Sequence, residues 1–315
     1  MRIVNTYKQK MQNKTKPKNP TTQARRMVIL MAIILVALGM AILYAKLREE
    51  ENAGFSGELA LKDIVYQTSL GPRFPGSAGH DKIIDWIVSR IEDVGWIAEI
   101  QDTTINNLRI RNIIAKRDTD EPKIIIGAHY DTRMYADRDP DPQKRAEPVP
   151  GANDGASGVA VLLELARTLP ADLDRDVWLV FFDAEDNGNI LGWEWILGSQ
   201  AFVRDYALNP ESVVIIDMIG DKDLNINYEI NSESQLSKEI WEAAARIGYI
   251  NHFIPTPGRS ILDDHVPFLQ TGLRAIDIID FDYPYWHTTQ DTVDKVSAGS
   301  LQIVGDVLLT WLLQK

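Results

Sequence analysis

The chain has 315 residues, 45% hydrophobic and 25% charged, which is ample for one large core and excludes a wholly disordered protein. Its net charge of −12 is uneven: residues 1–26 hold eight Lys/Arg and no acid, leaving 25 basic against 45 acidic residues, a net of −20, in the remainder. So acidic a body repels phosphate and excludes nucleic acid as a partner, and the absence of cysteine excludes disulfides, thiol nucleophiles and thiolate metal sites.

In chain order, residues 1–26 read as a disordered basic tail. Met27–Ala45 is an unbroken run of 19 apolar or small residues between Arg25-Arg26 and Lys46. As a helix it would span roughly 28 Å, the thickness of a bilayer's hydrocarbon core. The preceding cations keep the tail in the cytoplasm and put the rest of the chain outside it. The run is too long for the apolar part of a cleaved signal peptide, and Leu43-Tyr44-Ala45 is a poor cleavage site. A single-pass transmembrane anchor at 27–45, a linker at 46–54 and one domain at 55–315 are the expected organisation.

Within 55–315 helical and strand patterns alternate. Ser77–Val94 has Ile83, Ile84, Trp86, Ile87 and Ile91 at helical spacing, and Gly95 ends it. Asn112–Ala115 and Lys123–Gly127 are short apolar runs that predict strands. Ala156–Leu169 reads as helix, Val177–Asp183 and Ser212–Asp217 as buried strands, Ser234–Ile247 as helix, Arg274–Ile279 as strand and Ala298–Leu313 as a closing helix. This alternation predicts an α/β fold with a mostly parallel central sheet and helices on both faces. In such sheets ligands bind beyond the carboxyl ends of the strands.

Those ends carry the chemistry. The strand entering at Lys123 runs into His129-Tyr130-Asp131, the next into Asp183-Ala184-Glu185-Asp186, the third ends at Asp217, and the last leads to Tyr285-Trp286-His287-Thr288. Gly151-Ala152-Asn153-Asp154-Gly155 lies between the first two. Asp and His are ligand types that suit zinc. Singly, each has an ordinary reading: Asp154 as a loop residue or N-cap, Glu185-Asp186 as solvated loop charge, Asp217 as a strand-end turn, His129 as a buried core histidine. Gathered on one sheet edge, they would hold a cation or repel one another.

In order along the chain stand Gly71-Pro72-Arg73-Phe74-Pro75-Gly76-Ser77, Ala128-His129-Tyr130-Asp131, Gly151-Ala152-Asn153-Asp154-Gly155-Ala156-Ser157-Gly158 and Phe181-Phe182-Asp183-Ala184-Glu185-Asp186. Gly198-Ser199, Asp217-Met218-Ile219-Gly220, Asp263-Asp264-His265-Val266-Pro267-Phe268 and Trp286-His287-Thr288 follow. From about Gly71 to Leu313 this series resembles the co-catalytic zinc aminopeptidase family and, more closely, its glutaminyl cyclase branch.

The resemblance implies a zinc enzyme acting on peptide N-termini. Asp154, Asp186 and His287 would hold the main zinc; His129 and Asp217 stand where aminopeptidases place ligands for a second, with Asp154 bridging. Glu185 would be the general acid/base, and Asp131 would orient His129 from behind. Asp217 and Asp263 would join the catalytic hydrogen bonds, and Trp286 would wall the pocket; Trp193 and Trp195, which follow the Glu185 loop, are further candidates for that wall, with core or surface packing as their plainer reading. The doubled Asp263-Asp264 and Trp286 before His287 are cyclase-like; N-capping by the Asp pair and core packing by Trp286 are the plainer readings. Two positions depart from animal cyclases: Asp186 stands for Glu, and Asp277 for His. The polar insert Met134–Pro150 reads as a pocket rim or lid. The implied reaction is conversion of N-terminal Gln to pyroglutamate with loss of ammonia. Aminopeptidase hydrolysis and a non-catalytic binding ectodomain are the alternatives, with one zinc ion or two.

Overall fold

The computed structural model describes residues 22–51, 54–117, 119–173 and 175–314, in two units, one ending at Ala53 and one beginning at Gly54. In the first, helix α1 covers Thr22–Glu51. It therefore takes in the end of the stretch read as tail and most of that read as linker. Its side chains are described over 25–40, where all are exposed. Among the described residues no helix is long and apolar enough to cross a membrane. The side chains at the end of the apolar run, 41–45, lie outside the described ones, and tail residues 1–21 and linker residues 52–53 lie outside the described residues altogether.

The second unit opens with helices α2 (Gly57–Ser69) and α3 (Ala78–Asp93) and strands β1 (Ile97–Ile105), β2 (Leu108–Lys116) and β3 (Ile124–His129). Next come α4 (Ala156–Thr168), β4 (Val177–Phe182), α5 (Leu197–Asp205), β5 (Ser212–Asp217), β6 (Ile226–Tyr228) and α6 (Ser234–Arg246). It closes with β7 (Phe253–Pro257), α7 (Val266–Gln270), β8 (Ala275–Ile279), a 3-10 turn at Val293–Lys295 and α8 (Ala298–Leu312). Each expected element is present within a few residues of its predicted bounds; α7 is the helix through Phe268 that capping by the Asp pair implied, and α2, β1, α5, β6, β7 and the 3-10 turn are additions.

The main sheet has the order β1-β2-β4-β3-β5-β8. β4, β3, β5 and β8 are parallel, while β1 and β2 form an antiparallel hairpin that joins β4 antiparallel. The sheet is thus mixed, its parallel half as expected and its other edge a hairpin. A two-residue turn suffices there because Asn106 and Asn107 both adopt positive φ, 50° and 67°, the geometry that suits the twist of paired strands.

Strand residues alternate between two cores. Ile124, Ile126, Ala128, Leu179, Phe181, Val214 and Ile216 face one, filled by α2, α3, α4, α6 and α8. Ile125, Trp178, Val180, Phe182, Val213 and Ile215 face the other, with Phe202 of α5 and Phe268 of α7. Burial on both faces is why these strands read as continuous apolar runs. Helix α4 packs against the sheet through Gly158, where a Cβ would come 2.7 Å from both Ala128 Cβ and the Ile216 carbonyl oxygen. That close approach seats the start of α4 beside the ends of β3 and β5.

Candidate active site

Because β4, β3 and β5 are adjacent and parallel, their carboxyl ends bring Glu185-Asp186, His129 and Asp217 to one edge. Asp154 arrives from the loop before α4 and His287 from the loop after β8. His129 Nε2 lies 3.1 Å from Asp154 Oδ1 and 3.1 Å from Asp217 Oδ1. His287 Nε2 lies 2.7 Å from Asp186 Oδ1 and 3.7 Å from Asp154 Oδ2. Asp154 therefore presents one oxygen to each of two ligand sets, His129/Asp154/Asp217 and Asp154/Asp186/His287. It does not cap α4, whose N-cap Gly155 makes no side-chain hydrogen bond.

All five side chains are buried. Asp154 Oδ2 and Asp186 Oδ2 make no hydrogen bond although sealed from solvent. Buried acceptors left so are costly unless a cation answers them, and two His with three Asp in two overlapping sets are a donor set that fits zinc. Burial lowers the affinity of His129 for a proton, but Asp131, Asp154 and Asp217 more than reverse this and raise its pKa well above the ordinary value. The field that favours a proton there favours a dication more.

The supports are specific. Asp131 Oδ1 stands 3.5 Å from His129 Nδ1 and accepts the Glu185 backbone N–H at 3.0 Å. Its Oδ2 accepts from the Asp186 N–H and the Asn187 side-chain amide. Arg133 donates to the Asp186 carbonyl at 2.7 Å. Asp291, accepting from Tyr283 Oη at 2.7 Å, also takes the backbone N–H groups of Asn153 and Asp154 at 2.8 and 3.2 Å. Asn153 ties that loop to the one after β5, accepting from Gly220 N–H and donating to the Met218 carbonyl. Beneath it, fully buried Arg73 donates to the carbonyls of Pro150 and Gly151 at 3.0 and 2.6 Å. Ala184, Met218 and His287 take positive φ of 52°, 48° and 56°, strained backbone next to or at the ligands.

A cavity of about 450 Å³ opens over the cluster, lined by Asp154, Glu185, Asp186, Asp217, Asp263 and His287 on its polar side. Trp195, Trp286, Phe281, Ile261, Leu262 and Ile279 form the apolar side. Burial pushes Glu185 well above the ordinary glutamate range; His129 opposes this, while Asp186, Asp263 and Asp264 add to it. A carboxyl that holds a proton more readily than an ordinary glutamate is suited to taking one from a substrate and returning it.

Two expectations need correction. Trp193 does not wall the cavity; it packs against Ile110, Ala184, Leu197 and Ala201. Trp195 occupies that role, its ring parallel to His287 within 8° at 6.0 Å. The Asp263-Asp264 pair does not side-chain cap α7, whose N-cap is His265; Asp263 faces the cavity and Asp264 is fully buried. The Met134–Pro150 insert is irregular as expected but pinned: Asp139 accepts from Thr289 N and Oγ1 at 2.9 and 2.6 Å, and Arg138 N–H donates to the His287 carbonyl. Sequence reasoning gives no role to Arg73, Asn153, Asp291 or Tyr283, whereas Trp195 is one of the two tryptophans it offers for the pocket wall. Arg73 and Asn153 sit inside recognised motifs; Asp291 shows no signal beyond lying four residues past His287.

Comparison with known proteins agrees with this geometry. Residues 112–312 match the sequence profile of peptidase family M28. Aminopeptidase YwaD of Bacillus subtilis is 28% identical over 303 residues, covering 88% of this chain; the chain spans only 60% of that protein's length. The crystal structure of Porphyromonas gingivalis glutaminyl cyclase superposes with a TM-score of 0.77 at 34% identity, covering 82% of this chain and 98% of that one. A Zn-dependent exopeptidase from Parabacteroides distasonis gives a TM-score of 0.79 at 30% identity, covering 84% and 100%.

Proposed function

The chain belongs to peptidase family M28, and from that premise we propose that it is a zinc-dependent glutaminyl-peptide cyclotransferase, closing N-terminal Gln to pyroglutamate with release of ammonia. The observation that carries this reading is the cavity: one carboxyl edge, Glu185 and Asp263, faces a wall of Trp286, Trp195 and Phe281. Such a pocket suits a folded-back Gln side chain with its amine held against the carboxyl edge.

Asp154, Asp186 and His287 would hold the zinc, which when bound supplies a Lewis acid to polarise the side-chain amide carbonyl. Glu185 takes a proton from the attacking α-amine and delivers it to the departing ammonia. The new bond joins the α-nitrogen to Cδ, and the Cδ–Nε bond breaks. Asp217 and Asp263 steady the amine. The tryptophans hold the compact conformer and keep water out, which converts the step into a well-oriented intramolecular attack.

A second reading has its own support: Asp154 offers an oxygen to each ligand set, the bridge a two-metal aminopeptidase requires. There Glu185 would take a proton from water instead. Mass analysis of products from Gln- and Leu-initiated peptides separates the two.

We also propose that Met27–Ala45 anchors the protein in a membrane, with residues 1–26 cytoplasmic and the enzyme outside. In support, α1 is unbroken from Thr22 to Glu51, about 45 Å of helix at 1.5 Å per residue.

A further inference from the structure

We propose that Arg259 is a specificity-determining residue, whose guanidinium binds a carboxylate on the peptide's second residue. This rests on the cyclase reading of the site and names the class of peptide it prefers.

A row of rings leads from the ligand cluster to this arginine. His287 stacks on Trp286 at 3.8 Å, Trp286 meets Phe281 at 5.1 Å, and the Arg259 guanidinium lies over Phe281 at 5.7 Å. Arg259 lines the catalytic cavity and also an adjoining depression of about 250 Å³, with Asn225, Asn227, Pro257 and Asp282 on its far side. Arg259, Ile261, Ile279 and Phe281 line both hollows. A substrate whose first residue fills the cavity has its second residue at that shared wall.

The backbone there is fixed. Arg259 O accepts from Ile230 N–H at 2.9 Å, Gly258 N–H donates to Tyr228 O at 2.8 Å, and a Cβ on Gly258 would press Asn227 Cβ at 2.9 Å. The side chain, by contrast, is exposed and available. Among the described residues lining the cavity it is the one arginine or lysine. Its ion pair is with Asp282 at 3.3 Å, and both side chains are about two-thirds exposed, 64% and 65%. An exposed pair of that kind is weak, so an incoming carboxylate can replace Asp282 at little cost. The other acid of the depression, Glu229, is already engaged by Ile261 N–H, Asn231 Nδ2, Ser232 N–H and Oγ, and faces His265 Nε2 at 3.1 Å. The guanidinium fork matches a carboxylate in shape as well as charge.

The carboxylate could be an Asp or Glu side chain or the free C-terminus of a dipeptide. The test uses the full chain and measures kcat/KM for Gln-Ala amide, Gln-Glu amide and Gln-Ala free acid. Both carboxylate peptides should exceed Gln-Ala amide by about three- to tenfold, a rim-charge effect that shrinks in high salt. A preference for Gln-Glu amide alone identifies the side chain as the group bound; a preference for the free acid alone identifies the terminus. Arg259→Ala should bring the ratios to about one, and Asp282→Asn should raise them. Ratios compare peptides on one protein, so partial misfolding of a variant does not alter them. Equal rates for all three peptides, or ratios unchanged in Arg259→Ala, would overturn the assignment while leaving the cyclase reading intact. No cyclised product from any of them, Gln-Ala amide included, would overturn both.

Discussion

Gly155 backs onto His129 so closely that a Cβ on the glycine would stand 2.4 Å from the His129 carbonyl oxygen and 2.7 Å from its ring Cε1 and Nε2. The glycine is there because the residue beside Asp154 must let an imidazole pass. Gly155→Ala must displace His129, Asp154 or both, since neither neighbour is the free end of a flexible chain. We expect stability lower by about 1–3 kcal/mol, the usual cost of overpacking, and zinc affinity weaker by about 10- to 100-fold. Thermal unfolding and metal titration check this; a wild-type zinc affinity would mean that His129 and Asp154 tolerate displacement.

Glu185→Gln preserves shape and removes the basic carboxylate. Zinc content and unfolding temperature should hold, while turnover drops by about 10²- to 10⁴-fold. Steady-state kinetics beside elemental analysis gives the answer, and near wild-type turnover would remove Glu185 from its role.

His287→Ala takes away the imidazole that meets Asp186 at 2.7 Å. Most of the zinc and nearly all activity should go with it. Undiminished zinc would locate the main site on His129, Asp154 and Asp217 instead.

Asp291 touches no proposed ligand side chain, yet both its oxygens hold the backbone that aims Asp154. Asp291→Ala should weaken zinc binding about tenfold or more, and Asp291→Asn, which keeps one acceptor, should recover part of it. Equal loss in the two variants would point to general destabilisation rather than support of Asp154.

For topology, the protein should stay with membranes through a carbonate wash, and protease added outside intact cells should digest residues beyond 47. Recovery in the soluble cytoplasmic fraction would contradict the anchor.

Much of this was legible because burial on both faces writes itself into sequence as apolar runs. β3, β4 and β5 were visible for that reason, and their polar ends marked the site. Of the hairpin edge, the buried end of β2 at Asn112–Ala115 was visible but β1 was not: β1 has only Gln101 buried, so no apolar stripe announces it, although Asn106-Asn107 is a turn signal. The ligand positions were readable as motifs, whereas the supports were not, because their partners are distant in sequence. Arg73 reaches the carbonyl of Gly151 across 78 positions and Asp291 reaches Asn153 across 138. Trp193 and Trp195 have like sequence contexts; only the turn made by the positive φ of Leu191, Gly192 and Ile196 decides which one meets His287.

The most direct test incubates the purified, zinc-loaded protein with a Gln-initiated peptide and a Leu-initiated peptide and follows both by mass spectrometry. The account predicts that the first loses the mass of ammonia while the second is left largely intact. Release of free leucine, with no cyclised product from the Gln peptide, would contradict it and assign the same Glu185 and ligands to aminopeptidase hydrolysis.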